Sequence, residues 1–297
     1  MEMEIRALKT QKNAIIMAHN YQPLEIQALA DVVGDSLELA VKAKEARADL
    51  IVVCGVRFMA ETAKILNPER KVIIPVLDAG CPLADFLTPE MIREAKKQHP
   101  DAAVVVYANS TAESKALADI VCTSANAVKV VASLPNDTIL FGPDSNLAAY
   151  VQRELPDKTI IPLPPGGHCY VHTGFSIADV EAARRKGGVI ICHPECPPEI
   201  QEKSDLIAST GGMVRGAAGE GEPWSVFTER DMVSRLRVLY PDRVFYEKPE
   251  AICVDMKKIS LDDLLRALEC EEHEIILSRE VMDRARLAIE RMIAVGA

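Results

Sequence analysis

Three of the eight cysteines, Cys81, Cys169 and Cys253, recur at one position of an internal repeat, and thiolates brought together in this way can hold a metal. The repeat is anchored by Asp31, Asp119 and Asp205 in DVVGDS, DIVCTS and DLIAST, spaced by 88 residues from 31 to 119 and by 86 from 119 to 205. Counted from each aspartate, position −12 is His19, Tyr107 and His193, and position −10 is Tyr21, Asn109 and Glu195. Position +5 is Ser36, Ser124 and Thr210, and the cysteines follow at +50, +50 and +48. Three thiolates on a threefold axis suit zinc with an open fourth position, or a [4Fe–4S] cluster with one iron free to act as a Lewis acid. Histidine and carboxylate groups beside them suit proton transfer near neutral pH, and the hydroxyls suit hydrogen bonding to an anion.

The other cysteines read differently. Cys54, Cys122 and Cys192 stand in apolar runs and Cys270 in a C-terminal helical stretch, where cysteine packs as a small apolar residue. Cys192 and Cys196 in CHPEC form a pair without the CxxC spacing of a zinc clip. With no apolar segment for membrane insertion and no secretory leader, the chain is expected to be cytoplasmic, which argues against a disulfide framework.

The elements that must position these residues also repeat. The runs 13–22, 102–111 and 187–196 read as buried strands, each followed by a helical stretch beginning near Gln27, Ser114 and Gln201. Second runs at 50–56, 138–144 and 224–230 precede amphipathic segments, and third strand-like runs are KVIIPVL, KTIIPLP and RVFYEKP. Strands alternating with helices imply a parallel sheet, used here three times. Ligands bind outside the carboxyl ends of such strands, and positions −12 and −10 fall there. The expected fold is therefore three homologous α/β/α domains around a pseudo-threefold axis. Their expected bounds are 1–88, 89–175 and 176–257, with C-terminal helices at 258–297 packing back on the first. The +5 hydroxyls follow the first helix, where helix capping is a competing role.

A net charge of −10 excludes phosphate-backbone binding as the main task, so no nucleic-acid partner is expected. Aromatic residues make up 4%, so the core must be built from aliphatic side chains. The Gly-rich segment 211–223 is a candidate mobile loop.

The motifs AHNYQ (18–22), GDS (34–36), GVRFMAE (55–61), YANST (107–111), TSANAV (123–128), GHCYVH (167–172), HPEC (193–196), STGGM (209–213) and CVDMKK (253–258) resemble those of quinolinate synthases, in order along nearly the whole chain. The resemblance implies three α/β/α domains around one oxygen-sensitive [4Fe–4S] cluster. It also implies condensation of iminoaspartate with dihydroxyacetone phosphate to quinolinate, phosphate and water, a step of NAD biosynthesis. It makes Cys81, Cys169 and Cys253 the cluster ligands. His19, Tyr21, Ser36, Tyr107, Asn109, Ser124, His172, His193, Glu195 and Thr210 become active-site residues, with Glu195 as general acid/base tuned by burial, and His19, Tyr21, Tyr107 and His193 as its catalytic companions. Functional coupling to an aspartate oxidase or dehydrogenase follows from the same resemblance. The C-terminal redox cysteines of some relatives are not matched, since Cys270 alone follows Cys253. Competing readings are a cluster-bearing hydro-lyase of another hydroxy acid and an oxygen or iron sensor without turnover.

Overall fold

The computed structural model describes residues 1–296. In the first repeat α1 (Glu2–Gln11) leads into β1 (Ala14–His19), the single turn α2 (Leu24–Gln27), β2 (Val32–Gly34), α3 (Ser36–Glu45), β3 (Leu50–Cys54), α4 (Arg57–Leu66) and β4 (Lys71–Ile73), with α5 (Pro82–Asp85) after Cys81. The second repeat runs α6 (Pro89–Gln98), β5 (Ala103–Tyr107), α7 (Ala112–Lys115), β6 (Ile120–Cys122), α8 (Ala127–Ala132), β7 (Thr138–Gly142), α9 (Ser145–Glu154) and β8 (Thr159–Pro162). The third comprises α10 (Ile177–Lys186), β9 (Val189–Cys192), α11 (Pro198–Gln201), β10 (Leu206–Ile207), α12 (Thr210–Ala217), β11 (Trp224–Phe227), α13 (Arg230–Leu239) and β12 (Phe245–Tyr246). Helices α14 (Leu261–Cys270) and α15 (Arg279–Gly296) follow.

Three parallel sheets share one strand order, β2-β1-β3-β4, β6-β5-β7-β8 and β10-β9-β11-β12. Apolar runs at the middle positions put helices on both faces. In the first sheet Ile16, Ala18, Leu50, Val52 and Cys54 pack outward on Ile5 of α1 and on Leu264, Ala267 and Leu268 of α14. Met17, Ile51 and Val53 alternate onto the other face, against α3, α4 and α15. Residues Met282, Ala285, Ala288, Ile289 and Met292 of α15 join a core that also contains Val105, Val121 and Val130 of the second repeat. Helix α14 therefore packs on the first sheet, whereas α15 lies across the first and second repeats.

The sequence reading placed helices where the structure has a one-turn helix and a short edge strand. The turn ends near Gln27, Lys115 and Gln201, and the aspartates immediately precede the extra strand. Asp31, Asp119 and Asp205 accept the backbone N–H of Ile16, Val104 and Ile190 at 2.8, 2.7 and 2.8 Å. In each case the aspartate's own N–H returns a bond to the same residue's carbonyl. The register thus marks where an edge strand is stitched to the central one, and edge strands of two or three residues carry too little periodicity to be read.

The segment 211–223 differs as well, because Thr210–Ala217 is helical. Its glycines serve close approach: a Cβ on Gly211 would stand 2.6 Å from Asp35 Oδ2, and one on Gly212 would stand 2.9 Å from Ala208 Cβ. Ser209 caps this helix and its hydroxyl donates to Asp35 Oδ2 at 3.2 Å, joining the third repeat to the first.

Candidate active site

The carboxyl ends of the strands from all three repeats surround one cavity. It is lined by His19, Tyr21, Ser36, Cys81, Tyr107 and Asn109, and by Ser124, Cys169, His172, His193, Glu195, Thr210 and Cys253. Every candidate residue from the sequence thus faces one space. His168, between Gly167 and Cys169, is exposed and held to Gly166 O at 2.9 Å. No helix among the described residues is long and apolar enough to cross a membrane.

In the first and third repeats positions −12 and −10 meet through a turn. β1 ends at His19, and Tyr21 lies in the turn beyond, where its N–H donates to His19 Nδ1 at 3.2 Å. The third repeat copies this contact, Glu195 N–H to His193 Nδ1 at 3.3 Å. With Nδ1 accepting, both neutral imidazoles carry their proton on Nε2; that of His193 reaches Ser124 Oγ at 3.2 Å. Burial is the main cause that lowers both histidines to about 3, with Lys257 adding to it at His19, so they are neutral donors at physiological pH.

A side chain at position −4 clamps each turn. Gln27 Nε2 donates to the carbonyls of Asn20 and Gln22 at 3.2 and 2.7 Å, and Gln201 Nε2 to those of Pro194 and Cys196 at 2.8 and 2.7 Å. In the second repeat Lys115 Nζ takes this place, donating to Ser110 O at 2.8 Å. The +5 hydroxyls do not cap: Asp35, Thr123 and Ser209, one residue earlier, take the local backbone amides, which leaves Ser36, Ser124 and Thr210 facing the cavity. Thr210 Oγ1 accepts from Asn20 Nδ2 at 2.9 Å.

Glu195 is 2% exposed and sits at the centre of a hydrogen-bonded chain. Tyr107 Oη donates to Oε1 at 2.5 Å, and His172 Nδ1 lies 2.7 Å from Oε2. His172 Nε2 is 2.9 Å from Thr228 Oγ1, which is 2.5 Å from Tyr21 Oη. Burial alone would raise the Glu195 carboxyl, but His193, His172 and the bonds from His172 and Tyr107 outweigh it and hold it at about 2. Its neighbours thus outweigh burial, and it is an ionised acceptor for the Tyr107 hydroxyl. Burial and the Glu195 charge push both tyrosine hydroxyls up, keeping them protonated.

Each cysteine is set by the same backbone device. The N–H groups of Arg57, Ser145 and Arg230, at the starts of α4, α9 and α13, donate to the carbonyls of Ala79, Gly167 and Ala251, two residues before each cysteine, at 2.8, 2.8 and 2.9 Å. Burial pushes all three thiols up, and the backbone amides three residues on, of Ala84, His172 and Met256, pull them back. Three thiols lining one cavity, one from each repeat, fit a thiolate-bound centre. Among the described residues the set whose donor atoms all lie within 4.8 Å of one another is Cys169, His172 and Glu195. Cys81 and Cys253 fall outside that set. Of the remaining cysteines, Cys54, Cys122, Cys192 and Cys196 are buried, the last two adjacent, while Cys270 is exposed rather than packed.

Thr228 and Glu229 were not singled out in the sequence. They follow β11, and the rule that ligands gather at the carboxyl ends of strands, applied to the second apolar run as well as the first, would have found them. Glu229 Oε1 accepts from Lys257 Nζ at 2.9 Å and from the Cys253 N–H at 3.4 Å. Lys257 also binds Asp231 Oδ2 at 2.5 Å and the Tyr21 carbonyl, tying the Cys253 loop to the first repeat.

Comparison with known proteins places the chain in a family. The family described as quinolinate synthetase A protein matches residues 3–294. A quinolinate synthase of Pyrococcus furiosus is 53% identical over 296 residues, covering 99% of this chain and 97% of the relative. That of Methanocaldococcus jannaschii is 49% identical over 305 residues, covering 98% and 97%, and that of Thermotoga maritima is 48% identical over 294 residues, covering 97% of each. The chain belongs to the quinolinate synthase family.

Proposed function

We propose that the protein condenses iminoaspartate with dihydroxyacetone phosphate to give quinolinate, phosphate and water, a transferase step of NAD biosynthesis in the cytoplasm. In this reading Cys81, Cys169 and Cys253, one from each of three domains at 1–88, 89–175 and 176–257, hold one [4Fe–4S] cluster. When bound, the cluster supplies a Lewis acid through its iron without a cysteine ligand.

The protein's own groups supply binding and proton transfer. Ser36, Ser124 and Thr210 hydrogen-bond the carboxylates and phosphate, and Asn109 and the Nε2–H of His19 and His193 orient them. The Glu195 carboxylate is the base, and protons reach it through Tyr107 Oη at Oε1 and through His172 Nδ1 at Oε2. The Tyr21 hydroxyl stands at the far end of this chain, beside His172 Nε2 at 3.4 Å. The dehydrations each require a proton given at oxygen and one taken at carbon, which a chain with one hydroxyl at each end can supply. Because iminoaspartate hydrolyses readily, the burial of His172, His193, Glu195 and Thr210 around it also protects it from water. An aspartate oxidase or dehydrogenase is the fitting source of that substrate.

The observation that carries the reading is the convergence of one loop thiol from each repeat on a cavity built around Glu195, in a chain of this family. The test is anaerobic incubation of iron-replete protein with both substrates. Absence of quinolinate would refute the reaction and favour a hydro-lyase or a sensor. Separately, Cys81→Ala, Cys169→Ala and Cys253→Ala should each lose iron and visible absorption; full retention by any of them would remove it from the ligand set.

A further inference from the structure

Lys115 is a buried cation that the chemistry above does not use. It has no exposed surface, and its Nζ donates to Ser110 O at 2.8 Å and to Phe58 O at 3.4 Å, 5.2 Å from the centre of the Phe58 ring. Phe58 and Cys81 both line the cavity, so the ammonium lies directly behind its wall. Among the described residues no carboxylate stands within 4.0 Å of it. Glu61, on the same helix as Phe58, is committed to Arg57 at 3.0 Å and to the Ala112 N–H at 3.0 Å. Burial lowers Lys115 to about 8, with Glu61 and the Cys81 sulfur pulling the other way, so it is mostly charged at pH 7.

The repeat shows that the clamp needs no charge. Gln27 and Gln201 do the same work at the same position with neutral amides. A buried ammonium without a bound counter-ion is costly unless an anion lies nearby. Three thiolates on a [4Fe–4S] core with two positive charges give such an anion, on the Cys81 side of the cavity.

We propose that Lys115 is the internal counter-cation of the cluster site and holds its reduction potential up. The inference rests on the proposed cofactor. Removing a positive charge disfavours adding an electron to an anionic centre, so the potential must fall. The test is an anaerobic potentiometric titration of the iron-replete protein, followed by the electron paramagnetic resonance of the reduced cluster. In Lys115→Gln, which installs the residue of the other two repeats, and in Lys115→Met, the reduced-to-oxidised ratio at the wild-type midpoint should fall about tenfold, a shift of about 59 mV for one electron. Lys115→Arg, which keeps the charge, should shift by less than about a third of that.

Coincident titrations of Lys115→Gln and wild type would overturn the proposal, as would Lys115→Arg moving as far as Lys115→Gln. If both neutral variants fail to take up iron, loading of Lys115→Arg supports the counter-cation and its failure to load refutes it. Wild-type protein that takes up no cluster under the same conditions would instead refute the cofactor reading.

Discussion

Holding His19 neutral in the cavity makes the protein lose stability in mild acid, by an amount that follows from its environment. Its imidazole is 5% exposed, accepts at Nδ1 from Tyr21 N–H, and is lowered from the usual 6.5 to about 3, first by burial and then by Lys257. The folded-state pKa is depressed, so below 6.5 the unfolded chain binds a proton that the folded chain refuses. The contribution to stability is whole above 6.5 and is lost as pH falls toward 3. Over that window it reaches about 5 kcal/mol, and at pH 5.0 about 2 kcal/mol is already gone. Glu195 does not confuse the measurement at pH 5.0, because its own window opens below the ordinary carboxylate value of 4.5. The assay is anaerobic guanidinium unfolding at pH 7.5 and 5.0, followed by the fluorescence of Trp224, the single tryptophan, which is buried in β11. Asparagine at position 19 keeps an acceptor for the Tyr21 amide and cannot titrate. His19→Asn should therefore shrink the drop in unfolding free energy between the two pH values by about 2 kcal/mol. If the drop in His19→Asn equals that of wild type within ~0.5 kcal/mol, the buried neutral histidine is not what makes the fold acid-sensitive, and the reasoning fails.

Three further outcomes follow. Tyr107→Phe removes the donor to Glu195 Oε1, a bond to a charged acceptor worth about 1.5–3 kcal/mol, so kcat should fall by roughly 10- to 100-fold with KM changed less; an unchanged kcat would show that Tyr107 only fills space. Gly167→Ala places a Cβ 2.1 Å from Pro143 O, two residues before Cys169, so both melting temperature and bound iron should drop; a variant with full iron content would mean that the cysteine loop relaxes freely. Asp119→Ala leaves the Val104 N–H unpaired and should cost about 1–3 kcal/mol in denaturant unfolding without changing the pH profile of activity; an altered profile would give the register aspartates a chemical role.

Much of the site was legible because chemistry and spacing coincide: a residue type that recurs at −12, −10, +5 and +50 in three copies is recognisable even when each copy alone is not. What the spacing hid was the backbone that does the placing. β2, β6 and β10 are too short to show a period of two, so the aspartates that stitch them looked like part of a helical stretch. The capping role went to position +4 instead of +5, since Asp35, Thr123 and Ser209 differ in type and share no single pattern. The glycines of α12 suggested flexibility, although Gly211 serves a close approach to Asp35 that only the assembled repeats reveal. For Glu195, burial was legible but the direction of its pKa was not. That direction depends on His172 and on Tyr107, which come from other parts of the chain and meet it only in the folded protein.

The distribution of the cavity wall along the chain also sets an order of events in biogenesis. His19 and Met256 face the same space, and the three sulfurs belong to loops separated by more than eighty residues each. No stretch emerging from the ribosome holds a finished pocket until the third sheet has formed and docked, and contacts of such long sequence separation are the slow ones in folding. Whatever the thiols bind must therefore arrive late, on a nearly complete protein. A centre held by all three thiols, as proposed above, would tie the three repeats together, so that metallation would lock the assembly and its loss would free all three at once.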